Sequence, residues 1–197
     1  MALALVHTDP NTGNDHALGT TLGTNFQPQC ILYYRFKIYA LNKPSPDDWE
    51  REFVSGGLYN SIDVAGFADH VLDGTLSDAD DDLPDDPIEA LSVTVTEQCY
   101  VVIYLTSDDP NFRFKEGVPA IKTADVHTTD YRKLMHVDNL GNAHAGTVSG
   151  ICNLIHFAVK NVRLDGDDHF NIYVQYSSNT NPSFHIIDPA IKNRGGN

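Results

Sequence analysis

Apolar and polar residues alternate with a period of two along much of the chain, which is typical of β-strands. Residues 91–96 (LSVTVT) alternate perfectly, so we expect a half-buried strand there. Residues 99–106 (CYVVIYLT) are continuously apolar and predict a strand that is buried on both faces. A third long strand is predicted over residues 30–41, because Pro44 and Pro46 prevent its continuation.

The last third of the chain predicts three more strands, separated by turn-forming residues. They span residues 153–164, 170–177 and 183–191. The connections between them are short and rich in Asp, Asn and Gly. We therefore expect consecutive strands to pair as an antiparallel meander.

Helical patterns are scarce in this sequence. Residues 61–72 (SIDVAGFADHVL) predict one short helix, with Ser61 as its N-cap and Gly74 after its end. A second short helix is predicted after Ser45, around Trp49. Neither helix is long enough to cover a parallel sheet. The pattern therefore predicts an all-β fold, an antiparallel β-sandwich of immunoglobulin-like or jelly-roll-like type with one or two short helices.

A length of 197 residues suits a single β-sandwich domain. Within it, we predict that the acidic loop 77–87 and the loop 107–120 are insertions between strands. Residues 1–23 begin with an alternating apolar stretch and continue with Gly, Asn and Thr, as expected for an arm that is exchanged between subunits. The alternative is an ordinary first strand and loop.

The net charge of −14 changes the range of partners to expect. It repels phosphate backbones and anionic lipid head groups, so we expect neither nucleic acid nor a membrane surface as a partner. The N-terminal residues lack the basic and apolar regions of a signal peptide. Together with three cysteines widely spaced in apolar stretches, this predicts a cytoplasmic protein with reduced, buried thiols.

The strongest candidate metal site is the acidic segment of residues 77–89 (SDADDDLPDDPIE). Oxygen ligands at this spacing suit calcium. The residues at the ligand places of a calcium-loop pattern are Asp78, Asp80, Asp82, Asp86 and Glu89. However, Leu83 stands where the pattern requires Gly, and a strand follows where it requires a helix. A solvated acidic turn is therefore the alternative, and folding requires no cofactor.

Two further residue classes bear on function. Exposed aromatic rings could stack on carbohydrate, and the alternative is ordinary core packing. The aromatic residues considered are Tyr33, Tyr34, Trp49, Tyr59, Tyr131, Tyr173 and Tyr176. Histidines such as His136, His144 and His156 lack the short spacings that place two imidazoles on one element. A metal site would have to be assembled from distant strands.

The C-terminal quarter of the chain ends in a recognisable pattern of residues. The residues of this tail pattern are Asp188, Pro189, Ile191, Asn193, Gly195 and Gly196. The chain resembles small bacterial β-sandwich proteins of unknown function, whose last strand runs into an Asp-Pro-x-Ile-x-Asn-x-Gly-Gly tail. The resemblance implies a β-sandwich and no catalytic motif, and it leaves the first 85 residues unaccounted for.

These observations lead to three functional hypotheses. The first is a non-enzymatic structural protein that assembles with itself, as a homo-oligomer or a filament, through strand edges. The second is a calcium-assisted carbohydrate-binding module, suggested by the Asp-rich loops and the aromatic residues. The third is a metal-dependent enzyme of unknown reaction. The first is preferred, because no catalytic motif is present.

Overall fold

A computed structural model describes the chain in segments. These are residues 3–4, 16–18, 22, 26–40, 49–80, 93–95, 97–123, 131–159, 166–177, 183–187 and 190–193. The described residues are mostly strand and include one short helix, which confirms the prediction of an all-β fold. The sandwich type, the single domain and the exchanged arm stay predictions.

The described elements are numbered in chain order. The strands are β1 Leu3–Ala4, β2 His16–Ala17, β3 Cys30–Ala40, β4 Trp49–Tyr59, β5 Val93–Val95, β6 Cys99–Thr106, β7 Phe112–Phe114, β8 Ile121–Thr123, β9 Tyr131–Asp138, β10 Ala143–Ala145, β11 Cys152–Val159, β12 Gly166–Tyr176, β13 Ser183–Ile187 and β14 Ala190–Asn193. The helix is α1, Val64–Asp73.

The strands form two sheets. The first sheet has the order β1-β4-β3-β6-β11-β9-β10. The second has the order β2-β8-β12-β14-β5, and its long strand β12 also pairs with β7 and β13. The short N-terminal strands β1 and β2 pair with β4 and β8 of the same chain. Strand β7, within the predicted 107–120 insertion, is thus a member of the second sheet.

The centre of the first sheet is buried on both faces, and this explains the continuous apolar run of β6. On one face, residues such as Phe36 and Phe157 pack with Phe114 and Phe170 of the second sheet in one hydrophobic cluster. On the other face, helix α1 covers a second cluster that includes Ile31, Tyr33, Val102 and Leu154 of the sheet and Val64, Phe67 and Val71 of the helix. The bounds and the two-sided burial predicted for residues 99–106 are confirmed.

The predicted helix is present, but its N-cap differs from the prediction. Helix α1 begins at Val64, and the side chain of Asp63, not of Ser61, accepts the backbone N–H of Gly66 at 3.1 Å. Ser61 instead accepts the backbone N–H of Asp63 through its hydroxyl oxygen at 3.2 Å. Gly74 ends the helix with a φ of 69°, a left-handed conformation that favours glycine.

The second predicted helix is wrong, because Trp49–Tyr59 is strand β4. It pairs antiparallel with β3 from Ile31–Tyr59 to Ala40–Trp49, and the register skips Val54 in a β-bulge. Gly56 and Gly57 would each disfavour a helix by about 1 kcal/mol. Strand β3 is apolar and needs a hydrogen-bonded neighbour on this side. Pairing with β3 therefore outweighs the helix-start signal that follows Ser45.

The predicted strand pairing is confirmed in part. Strands β12 and β13 follow each other in the chain and pair antiparallel as expected, and β14 also pairs with β12. Strands β11 and β12 do not pair, since they belong to different sheets. Strands β3 and β6 pair in parallel, which differs from a wholly antiparallel sheet, and helix α1 and strand β5 lie between β4 and β6 in the chain.

The predicted burial of the cysteine thiols is confirmed. All three cysteines are buried and unpaired, as expected, although the cytoplasmic location stays a prediction. The one described helix has ten residues, and none of the described helical residues could span a membrane. The tail that carries the C-terminal resemblance lies partly outside the described residues, so that resemblance also stays a prediction.

Candidate functional site

A pocket of about 480 Å³ lies on the helix-covered face of the first sheet. Strands β3, β4 and β6 form its floor, and the chain that follows helix α1 forms one wall. We call it the tyrosine pocket. It is lined by Tyr33, Arg35, Ser55, Gly56, Tyr59, Val71, Gly74, Leu76, Ser77, Asp78, Ala79 and Tyr104.

Strand geometry brings the floor of the tyrosine pocket together. Tyr33 and Arg35 are two residues apart on β3 and therefore share a face. Tyr104 is the register partner of Arg35 on the parallel strand β6. The Arg35 guanidinium carbon lies 5.9 Å from the centroid of the Tyr104 ring, which is a cation–π distance. Arg35 itself is exposed, so its charge faces the opening.

The tyrosine rings are held by the helix. The Phe67 ring contacts Tyr59 edge-on at a centroid distance of 4.8 Å and Tyr33 at 5.7 Å. Burial raises the pKa of Tyr33 far above its ordinary value, so its phenol stays protonated. Burial, and then the nearby charges of Asp78 and Asp80, raise the pKa of Tyr59. Both phenols are therefore neutral. Tyr33 is only 5% exposed, so the half-buried Tyr59 and Tyr104 offer most of the accessible aromatic surface.

Two residues of the predicted calcium loop lie at this pocket. Asp78 lines it, and Asp80 lines an adjoining depression that also includes Tyr59, Ser77 and Asp78. The Asp80 carboxylate accepts the backbone N–H of Asn60, and the Asp80 N–H donates to the Leu58 carbonyl at 2.9 Å. The beginning of the acidic segment is therefore anchored to the end of β4.

The rest of the predicted calcium site cannot be placed on this pocket. Asp82, Asp86 and Glu89 lie outside the described residues. Within the described part of the chain, no three His, Cys, Asp or Glu side chains are grouped so as to hold a metal ion. Calcium binding by this segment stays a prediction.

The aromatic residues divide between the core and the pocket. Trp49, Tyr34 and Tyr173 are buried in the fold. Tyr33 and Tyr59, which were considered from the sequence, line the tyrosine pocket, where Tyr104 joins them. Sequence reasoning missed both Arg35 and Tyr104, because their contact depends on parallel pairing between strands about 70 residues apart.

A second polar group lies at the far edge of the first sheet. His136 of β9 and His144 of β10 are register partners, and their rings stack at a centroid distance of 5.4 Å. Asp138 lies beside them, with its Oδ2 3.1 Å from His144 Nε2. The two histidines are each four residues from Leu140 in the turn, and this spacing could have revealed the pair, since residues equidistant from a hairpin turn face each other.

The buried His136 predicts an acid-sensitive fold. Burial, and then the neighbouring His144, lower the pKa of His136 below its ordinary 6.5, and Asp138 opposes them. The unfolded chain therefore binds a proton more readily than the folded one. Stability is full above about pH 6.5 and falls as the pH drops toward the folded-state pKa.

Urea denaturation at about pH 7.5 and about pH 5.5 measures this effect. We expect His136→Gln to lose less free energy of unfolding between the two values than the wild type does. His70→Gln, at an exposed histidine, is the control and should keep the wild-type loss. An equal loss in all three proteins would contradict the prediction.

A comparison with known protein families gives a match. A family model described as "Predicted novel nucleotide synthetase" (pNTSase1) matches residues 71–196, which is more than half of the chain. The match begins within helix α1 and includes Asp78, Tyr104 and the whole histidine group. No curated protein matches the chain.

This match corrects the preferred functional hypothesis. The sequence predicted a non-enzymatic structural protein that assembles with itself, and the family is described as a synthetase, which is an enzyme. The expectation that the chain is no enzyme is therefore wrong. Carbohydrate as a binding partner is not tested by this match and stays a prediction. The error arose because the sequence has no short catalytic motif, while side chains from several strands can build a site.

Proposed function

Because the chain belongs to the family of predicted novel nucleotide synthetases, we propose that it is an enzyme of nucleotide synthesis that binds a nucleoside monophosphate in the tyrosine pocket. The observation that carries the proposal is the convergence of three tyrosines, one arginine and one aspartate on a single cavity. A volume of about 480 Å³ lies within the usual range for small-molecule sites.

The tyrosine rings suit the base of the nucleotide. Aromatic side chains bind bases by stacking, which every base can accept through its π-face. Tyr33 and Tyr59 meet edge to face at 72°, with centroids 6.4 Å apart. Their positions are held by Phe67, so little conformational entropy is lost on binding.

The charged residues suit the ribose and a single phosphate. A carboxylate such as Asp78 can accept hydrogen bonds from ribose hydroxyls, as acidic residues do in other nucleotide sites. Arg35 can form two hydrogen bonds to a phosphate. Lys37 lies farther along the same strand, but its ammonium is paired with Asp108 at 2.8 Å. Arg35 is the one cation among the described residues that line the pocket, and in a chain of net charge −14 this favours a monophosphate over a triphosphate.

Isothermal titration with nucleoside monophosphates and the matching nucleosides tests this proposal. We expect Arg35→Gln to weaken monophosphate binding by about tenfold, the value of one hydrogen bond to a charged group. Nucleoside binding should change little, because the nucleoside lacks the phosphate.

Lys37→Gln is the matched control, since it removes the same charge from the same strand face. It should bind monophosphates like the wild type. The proposal fails if no nucleoside monophosphate binds, or if Arg35→Gln and Lys37→Gln bind equally well. A loss of nucleoside binding equal to that of monophosphate binding would also contradict the role of Arg35.

A further inference from the structure

The histidine group is organised around a tightly held carboxylate. Asp138 Oδ1 accepts the backbone N–H groups of Leu140 and Asn142, each at 2.9 Å. Hydrogen bonds from His144 and then Asn142 lower the pKa of Asp138 well below its ordinary value. The carboxylate is therefore ionised at neutral pH and accepts a hydrogen bond from a protonated ring nitrogen of His144.

This geometry assigns a tautomer to His144. Its Nε2 lies 3.1 Å from Asp138 Oδ2, so in the neutral ring Nε2 carries the proton and Nδ1 keeps a lone pair. The His144 side chain is 40% exposed, so the ring is accessible to small molecules. A carboxylate that fixes the tautomer and stabilises the imidazolium is the arrangement of histidine general bases.

The neighbouring His136 has the opposite tautomer. Its Nε2 accepts the backbone N–H of Ser149 at 3.3 Å, so the proton of the neutral ring lies on Nδ1. His136 is 1% exposed, and its Nδ1 has no hydrogen-bond partner among the described residues. A buried donor of this kind is costly unless another acceptor satisfies it. The buried His136 ring stacks on the His144 ring at a centroid distance of 5.4 Å.

The other reactive groups nearby are less suited to proton abstraction. Burial, and then the charges of Asp138 and Glu116, raise the pKa of Cys152 to about 11, so its thiol is protonated at neutral pH. Glu116 is engaged, because it accepts the Gly150 N–H at 3.1 Å and lies 3.5 Å from Arg113. His144 is the group with an accessible lone pair.

We propose that His144, positioned by Asp138, is a general base that removes a proton from a hydroxyl group, either of water or of an alcohol. In this step the O–H bond breaks as the bond to Nδ1 forms, and the oxygen keeps the electron pair for attack on an electrophilic carbon or phosphorus. The imidazolium is stabilised by the Asp138 carboxylate. His136 is a positioning residue, because its buried ring stacks on the His144 ring and supports its orientation.

The proposal does not rest on nucleotide binding in the tyrosine pocket. That pocket is built on β3, β4 and β6, whereas the histidines are on β9 and β10, and β11 separates the two groups of strands. A failure of monophosphate binding would therefore leave this proposal untouched.

Nitrogen-15 NMR of the labelled full chain tests the tautomers. We expect the neutral ring of His144 to be protonated on Nε2 and that of His136 on Nδ1. Asp138→Asn keeps an oxygen that can accept the turn N–H groups, but it loses the charge that holds the His144 proton. A mixed tautomer of His144 in this variant supports the proposal. A wild-type His144 protonated on Nδ1 would overturn it.

Hydrolysis of 4-nitrophenyl acetate tests the reactivity. His144 would take the proton of the attacking water, and acetate and 4-nitrophenolate would be released. We expect His144→Gln to reduce the protein-dependent rate by about a hundredfold and Asp138→Asn by a smaller factor.

The matched control is His70→Gln, which removes an exposed histidine that is bonded to Thr75 at 2.9 Å. It should keep the wild-type rate. Equal rates for His144→Gln and the wild type, or an equal loss in His70→Gln, would overturn the assignment of a general base to His144.

Discussion

Replacing Trp49 by Ala is expected to lower the free energy of unfolding by about 3–5 kcal/mol. Trp49 is fully buried at the start of β4 and meets Phe112 of β7 edge to face, with centroids 5.0 Å apart. It therefore joins the two sheets across their common core. Urea denaturation of the wild type and the variant measures the loss.

Val54→Ala on the same strand is the control. Val54 is 44% exposed at the β-bulge, so its replacement should change the free energy of unfolding by no more than about 0.5 kcal/mol. Equal losses for the two variants would contradict the inward position of Trp49. They would also reopen the helix that the sequence predicted for this segment.

Replacing Phe67 by Ala is expected to lower the free energy of unfolding by about 3 kcal/mol or more. Phe67 is 6% exposed and anchors helix α1 against the first sheet. Its ring also holds Tyr33 and Tyr59, so the variant should bind nucleoside monophosphates more weakly. Denaturation and isothermal titration measure the two effects on the same protein.

Ile62→Ala is the control for Phe67→Ala, because Ile62 precedes the same helix but is 63% exposed and is not packed against the sheet. It should change neither stability nor binding appreciably. If Phe67→Ala destabilised the protein but left monophosphate affinity intact, the tyrosine positions would not depend on the helix. That result would contradict the proposed pre-organisation of the pocket.

The strands that were predicted well are those in which the pattern of apolar residues matches the burial of the strand. Strand β6 is apolar on both faces because both of its faces are covered, and its bounds matched the prediction. Strand β3 is similar and ended within one residue of the prediction. Strand β4 was missed because its central residues, such as Glu52 and Phe53, are exposed and lack a clear alternation.

The candidate site was predicted only in part. Asp78 and Asp80 were identified as functional candidates because acidic residues cluster there, but their neighbours in space were unknown. Arg35 meets Tyr104 through parallel pairing, and His136 meets His144 across a hairpin. No local pattern encodes the first contact, while the second could be inferred from the symmetry of the turn.

Hydrophobic periodicity reflects burial directly, so it was sufficient to predict the β-rich class, the short helix and the strands of the buried centre. The acidic composition predicts that neither nucleic acid nor a membrane surface is a partner, and this stays a prediction. The fold was needed to show which strands are neighbours, that β3 and β6 run in parallel, and that β11 and β12 lie in different sheets. Pairing between distant strands depends on the total area that they bury together, and no single segment of the sequence contains that information.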